Sequence, residues 1–407
     1  MTYIRAQALD GLKQYKYASV DKSLTSKYIL KPFYTNFVIN CFPMSMAPNL
    51  ITLTGFSFVV VNFLTLLWYN PTLDKDCPPW VYLSWAVGLF LYQTFDAVDG
   101  TQARRTKQSG PLGELFDHGV DACNTALGVL IFAGAVNLGQ GWATVLTLFG
   151  AVFTFYVQTW EEYYTHVLTL GIVSGPVEGI LSLCFVFLAT GLLGGGSFWH
   201  KPMMPTLGLP HIPLLPESAY NLPFTTWWVI YGGVVLLFST VSSIMNVLDV
   251  VEKRKAERRQ DPQAYLAKKP LDSEGSDDDS IYKPLYGLLP AIMPWTLLVP
   301  YLYMHPEILH NHLVPVILFG GLVNAYSVGQ MIVAHLVKLD FPYQNVLVVP
   351  LAVAVVDSMI PELGLWENSF LGSGSNQVAF VFSCLGLAVG VYGSFVVSTF
   401  HSSCTSY

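Results

Sequence analysis

Four carboxylates at helical spacing stand out in a chain that is short of charge. Asp96 and Asp99 are three residues apart, and Asp117 and Asp121 are four apart. On helices each pair shares a face, with β-carbons roughly 5–6 Å apart. Between the pairs runs a basic, glycine-rich break carrying Gly100, Arg104, Arg105, Lys107, Gly110, Pro111 and Gly113. Carboxylates this close repel one another unless something cationic sits among them. All-oxygen ligand sets suit Mg²⁺, Mn²⁺ or Ca²⁺ far better than Zn²⁺, so the four aspartates outline a two-metal site. The residues around them fit a phosphate-bearing ligand. Gly100 and Gly113 leave the backbone open to the approach of a pyrophosphate, and the planar fork of Arg104 meets two oxygens at once. Arg105 and Lys107 read as ordinary basic residues of a cytosolic loop.

The elements that must position these side chains are helices in a membrane. Of the 407 residues 53% are hydrophobic and 12% charged, against about 25% charged in a soluble chain. Residues 1–25 are polar and read as cytosolic, with no apolar run like that of a cleavable signal peptide. Residues 26–48 mix lysines with Phe33, Tyr34, Phe37, Val38 and Phe42. They predict an amphipathic helix lying in the interface, with Lys27 and Lys31 at the headgroups. Ten apolar stretches of about bilayer length follow, near 49–70, 80–100, 117–138, 142–162, 171–194, 225–248, 285–304, 313–336, 344–363 and 376–399. With the N-terminus in the cytosol, every Lys and Arg except Lys75 and Lys201 falls on the cytosolic side, which supports both the helix count and the orientation. The predicted fold is thus an all-α polytopic integral membrane protein. It has a cytosolic N-terminus and interfacial helix (1–48), a six-helix core holding the carboxylates (49–248), a charged cytosolic loop (249–284) and four further helices (285–407). Residues 252–284 start basic, end acidic and lack an apolar period, predicting a mostly disordered loop with Ser273, Ser276 and Ser280 open to phosphorylation. The proline-rich stretch 195–224 falls on the lumenal side. The six cysteines show no metal-ligand spacing, and most fall in apolar stretches, where they read as small buried hydrophobes.

Asp99-Gly100, two residues, Ala103-Arg104, eight residues, Gly113, three residues, Asp117, three residues and Asp121 resemble the signature of the CDP-alcohol phosphotransferase family. Every fixed position is filled, and Asp96 stands upstream. The resemblance implies that Asp96, Asp99 and Asp117 hold one metal and that Asp121 joins some of them on a second. Two ions, Mg²⁺ or Mn²⁺, would then clamp the bridging phosphates. Gly100, Ala103, Arg104, Gly113 and Glu114 would bind the CDP-alcohol. Asn49, in the tract Pro48-Asn49-Leu50-Ile51-Thr52, matches a family position beside the cytidine and reads equally as a helix N-cap.

An acceptor hydroxyl needs a base. His118 follows Asp117, and Glu114 lies one turn earlier, so the two form a carboxylate–imidazole pair suited to general-base work near neutral pH. Asp121 is the alternative base, although a metal-bound carboxylate is a poor one. Glu114-Leu115-Phe116-Asp117-His118 resembles the eukaryotic choline/ethanolamine branch of the family. That branch implies CDP-choline or CDP-ethanolamine as donor and diacylglycerol as acceptor, with phosphatidylcholine or phosphatidylethanolamine and CMP as products. It also implies a homodimer in the endoplasmic reticulum, the Golgi being the alternative, with membrane lipids and no nucleic acid as partners. Two rivals stay open: a family member using CDP-diacylglycerol and a polyol, and a divalent-cation transporter. The latter would place its carboxylates near the midplane rather than beside a basic turn at one face. Gly175-Pro176-Val177-Glu178-Gly179 predicts a break in the fifth helix that leaves Glu178 inside the membrane. There it either lines the cavity for a cationic headgroup or bonds locally at a packing kink. Trp160, Glu161, Glu162, Tyr163 and Tyr164 read either as an interfacial belt or as an aromatic–acidic wall for a quaternary ammonium. His335, His310, His312 and Asp357 read as structural.

Overall fold

The computed structural model describes residues 19–21, 25–170, 176–211, 215–260, 281–365 and 367–404. Each of the ten apolar stretches contains a helix. They are α1 (Pro48–Tyr69), α2 (Pro79–Thr106), α3 (Pro111–Ala135), α4 (Trp142–Thr165), α5 (Pro176–Leu192), α6 (Phe224–Gln260), α7 (Leu289–Met304), α8 (Leu313–Val337), α9 (Val348–Glu362) and α10 (Ser375–Cys404). Proline occupies one of the first two positions of several of them, where its missing N–H is no loss and its fixed φ suits the helix.

The protein is an integral membrane protein by length and apolarity of its helices. Among the described residues, six helical segments are long and apolar enough to cross a bilayer: Pro48–Tyr69, Trp142–Thr165, Phe224–Gln260, Lys283–Met304, Leu313–Val337 and Ser375–Thr399. Val177–Leu192 and Val348–Pro361 are apolar but shorter. The remaining two, α2 and α3, are 28 and 25 residues long and carry the aspartates.

α1 packs along α2 and α3, α5 along α2, and α6 along α4, while α8 lies against α3, α4 and α10. Most residues of α8 are buried, so the C-terminal helices join the helices of the candidate site chiefly through α8. Close approach is fixed by small residues. A Cβ on Gly88 would stand 2.6 Å from the Asn62 amide, which donates to the Trp85 carbonyl at 3.1 Å. A Cβ on Gly321 of α8 would stand 2.2 Å from that of Ala126 on α3.

Several boundaries differ from the hydropathy reading. The break between α2 and α3 is only Lys107–Gly110, so the acidic pairs lie within continuous helices rather than at facing helix ends. Arg104 and Arg105 extend the last turn of α2, because helix propensity and a favourable C-terminal dipole carry a helix beyond its apolar span. Likewise α6 runs on to Gln260, through the first part of the stretch expected to be a disordered loop. Ser273, Ser276 and Ser280 lie outside the described residues. α5 is described from Pro176, with Glu178 in its first turn; residues 171–175, and with them the predicted break, lie outside the described residues.

The segment before α1 is amphipathic, as expected, but is not one helix. A π-helical turn (Ser26–Leu30) runs into Lys31–Asn36, followed by a 3-10 turn at Val38–Cys41. Leu30, Tyr34, Val38, Ile39 and Phe42 are buried, and Tyr28, Ile29, Phe33 and Phe37 are exposed. The segment is clamped to α2. Arg105 Nη1 donates to the carbonyls of Ile39 (2.9 Å) and Phe42 (3.2 Å), and Gln102 Nε2 to those of Pro43 (2.9 Å) and Met46 (3.1 Å). Arg105 therefore has a structural bond to make beyond its charge. A short parallel pair, β1 (Ser19–Asp21) with β2 (Leu168–Leu170), ties the N-terminal region to the end of α4, a feature that a purely helical reading misses.

Candidate active site

The four aspartates converge from α2 and α3. Ligand oxygens of Asp96, Asp99 and Asp117 lie within 4.8 Å of one another. Asp99 is only 8% exposed and accepts a hydrogen bond at Oδ2 from the Thr52 hydroxyl on α1. Asp121 accepts one at Oδ1 from the phenol of Tyr92 on α2. By contrast, Oδ1 of Asp96 and Oδ1 of Asp117 are buried with no hydrogen-bond partner. Orphaned anionic oxygens in a dry site are costly unless a cation meets them. No Lys or Arg pairs with any of the four among the described residues. Hard oxygens, two of them orphaned, fit a divalent metal of the Mg²⁺ type.

The surrounding residues leave room for a ligand. A Cβ built on Gly100 would meet only Arg104 Nη1, at 3.8 Å, and one on Gly113 only Asn49 Oδ1, at 4.0 Å. Packing within the protein therefore does not demand glycine at either position, and space stands open beside both. Asn49 thereby stands beside Gly113. It is the second residue of α1, whose N-cap is Ala47, so the N-cap alternative for Asn49 is excluded. Arg104 is exposed and donates to Thr101 Oγ1 at 3.0 Å, folded along its own helix. Ala103 accepts the Gln108 N–H at 2.8 Å, closing the end of α2 around Lys107, which is left-handed at φ 59°.

His118 is half-buried on α3, with Asp121, Glu162 and His335 as electrostatic neighbours. Glu114 faces Glu162 of α4 and His335 of α8, a ligand atom from each lying within 4.8 Å of the others. Glu178 is half-buried, flanked by Val177 and Leu181. These two pack on an apolar cluster that includes Val98, next to Asp99.

Of the residues read as an interfacial belt or an aromatic–acidic wall, all but Glu162 are engaged in packing contacts. Trp160 donates to the Pro284 carbonyl (3.0 Å), Glu161 accepts from Asn246 (2.9 Å) and Tyr163 donates to the Leu339 carbonyl (2.7 Å). Tyr164 stacks on Phe341. Asp357 is structural, accepting from the backbone N–H groups of Phe370 (2.7 Å) and Leu371 (3.0 Å). Sequence reasoning missed Thr52 and Tyr92. Tyr92 stands one helical turn before Asp96, on the same face, and Thr52 closes the tract already singled out for Asn49, so a signal existed for both.

A membrane-embedded helical protein with converging carboxylates, an exposed arginine and two bare glycines defines a metal-dependent enzyme for phosphate-bearing substrates. The comparisons narrow the class. The model of the CDP-alcohol phosphatidyltransferase family matches residues 45–209. Among relatives, a choline/ethanolaminephosphotransferase 1 of Saccharomyces cerevisiae is 39% identical over 97% of this chain and 93% of its own. A cholinephosphotransferase 1 of the same yeast is 35% identical over the same shares, 97% and 93%. A choline/ethanolaminephosphotransferase 2 of Arabidopsis thaliana is 36% identical over 83% of this chain and 79% of its own. The chain belongs to the CDP-alcohol phosphatidyltransferase family.

Proposed function

We propose that this protein transfers phosphocholine, phosphoethanolamine or both from the CDP-alcohol to diacylglycerol. The products are phosphatidylcholine or phosphatidylethanolamine and CMP, the last step of the CDP-choline and CDP-ethanolamine routes. The observation that carries this reading is the convergence of Asp96, Asp99 and Asp117 with orphaned buried oxygens, in a chain similar along nearly its whole length to relatives named for that reaction.

Asp96, Asp99 and Asp117 would hold one divalent ion, with Asp121 on a second, both Mg²⁺ or Mn²⁺. When bound, such ions neutralise the bridging phosphates and favour departure of CMP. Arg104 turns from Thr101 to the phosphate oxygens. Gly100, Ala103 and Gly113 keep the backbone clear for the pyrophosphate, and Asn49 meets the cytidine. His118 takes the proton from the diacylglycerol hydroxyl at an imidazole nitrogen while Glu114 holds the ring. The freed oxygen attacks the β-phosphorus in line, and the bond from that phosphorus to the bridging oxygen breaks. CMP leaves with the bonding electrons, and the proton on His118 is released to solvent. Glu178 faces the cationic headgroup. Ten helices span the membrane of the endoplasmic reticulum, the N-terminus and site face the cytosol, and the protein works as a homodimer.

The test is a reconstituted assay with diacylglycerol, Mg²⁺ and either CDP-choline or CDP-ethanolamine, following CMP and the lipid product. Turnover lost in Asp121→Asn supports the reading. Folded, metal-loaded protein that releases no CMP from either donor overturns it.

A further inference from the structure

A second cluster of ligating side chains lies beside the aspartates and plays no part in the proposed reaction as a unit. Glu114 of α3, Glu162 of α4 and His335 of α8 converge from three helices, each offering a ligand atom within 4.8 Å of the other two. Glu162 is 6% exposed, and its carboxylate makes no hydrogen bond among the described residues, although Glu161 beside it accepts one from Asn246. A buried carboxylate aimed at a second carboxylate, with no donor of its own, is unfavourable unless a cation lies between them.

The donor set indicates which cation. Two carboxylate oxygens and an imidazole suit Zn²⁺ or another first-row transition ion, whereas the oxygen-only aspartates suit Mg²⁺. His335 is also held from behind, its Nδ1 lying 3.4 Å from Nδ1 of His166. When His335 donates the shared proton, its other nitrogen is the acceptor of the ring, the tautomer usual for a metal-bound histidine. From this geometry we infer that Glu114, Glu162 and His335 form a transition-metal site, separate from the aspartates, whose occupation inhibits the enzyme.

The inhibition rests on the proposed role of Glu114 toward His118. An ion at the cluster withdraws Glu114 from the imidazole and adds positive charge near a ring that must accept a proton. The site and the reaction can fail separately, so binding and turnover are measured separately. Full-length protein in detergent with saturating Mg²⁺ is titrated with Zn²⁺ against a chelating dye, and with Co²⁺ by its visible absorption. One tight Zn²⁺ and a Co²⁺ spectrum of nitrogen–oxygen ligation are expected in the wild type. In Glu162→Gln and His335→Gln the affinity falls by about tenfold or more, while Mg²⁺-dependent turnover in chelator-treated buffer persists. Glu162→Asp, which keeps the charge, serves if Glu162→Gln does not fold. Zn²⁺ affinity unchanged in these variants, or no tight Zn²⁺ in the wild type, overturns the site. Zn²⁺ held at the cluster without slowing turnover overturns the inhibition. A protein inactive with every CDP-alcohol still answers the binding question.

Discussion

Tyr92 of α2 donates its phenolic hydroxyl to Oδ1 of Asp121 on α3, so the last aspartate of the signature is aimed by the helix that carries the first two. Tyr92 is 1% exposed, which fixes its ring. Thr52 does the same for Asp99 from α1. Residues that orient ligands behind a metal typically alter its affinity by about 10–100-fold. Tyr92→Phe is therefore expected to raise the Mg²⁺ concentration for half-maximal turnover about tenfold with little loss of folded protein. Thr52→Val should behave likewise and Thr52→Ser should not. An unchanged Mg²⁺ requirement in both Tyr92→Phe and Thr52→Val would show that these hydroxyls do not position the carboxylates.

His118→Gln keeps the size and a hydrogen-bonding tip but cannot accept the proton. General-base removal costs about 10²–10⁴-fold in turnover, and binding of the CDP-alcohol in Mg²⁺ should persist, read by calorimetry. Turnover near wild type would transfer the role to Asp121.

Gly113 separates stability from function. It lies in the first turn of α3, where a methyl would meet nothing closer than Asn49 Oδ1, at 4.0 Å. Glycine within a helix costs about 0.5–1 kcal/mol relative to alanine, so Gly113→Ala should melt at or above the wild-type temperature. Its KM for the CDP-alcohol should nevertheless rise severalfold, because the methyl occupies ligand space. Gly88→Ala, whose Cβ would stand 2.6 Å from the Asn62 amide, should do the opposite and lower the melting temperature. A Gly113→Ala enzyme with unaltered KM would mean that no ligand approaches that backbone.

The contrast between these two glycines shows what the sequence makes legible. Gly113 belongs to a fixed local spacing, and such spacings were readable: the four aspartates, Arg104 and His118 all lie within about seven helical turns of chain. Helices were readable in each of the ten apolar stretches, six of which, among the described residues, contain helical segments long and apolar enough to cross a bilayer. Helix ends were not. Hydropathy stops at residue 100 and near 248, whereas helix-favouring charged residues carry α2 to Thr106 and α6 to Gln260. Long-range partners were also hidden. Gly88 and Asn62, Gly321 and Ala126, or His335 and Glu114 have no common period, and only packing brings each pair together. Arg105 looked like one more cytosolic charge, because nothing local announces the carbonyls of Ile39 and Phe42 that it caps.

A clasp on the opposite side of the molecule gives a pH-dependent test of packing. Asp76, in the loop between α1 and α2, accepts from Ser197 N (2.9 Å), Ser197 Oγ (2.7 Å) and Asn137 Nδ2 (2.8 Å). Gly195, at φ 133°, must be glycine here, since a Cβ would stand 2.6 Å from the Asp76 carboxylate. Burial alone would raise the Asp76 pKa, but the hydrogen bonds from Ser197 and Asn137 outweigh it and hold the group below the usual 3.8. A depressed carboxylate stabilises the folded state fully above its unfolded pKa, and that contribution disappears as pH falls through the lower folded value. Asp76→Ala should therefore melt below wild type by a constant margin from pH 7 to about pH 5. The margin should shrink below about pH 4, where the wild-type carboxylate begins to protonate. Subtracting the two melting curves removes the other carboxylates, which titrate in both proteins. A difference that stays the same down to the lowest pH would mean that the loop is held by the shape of Asp76 and not by its charge.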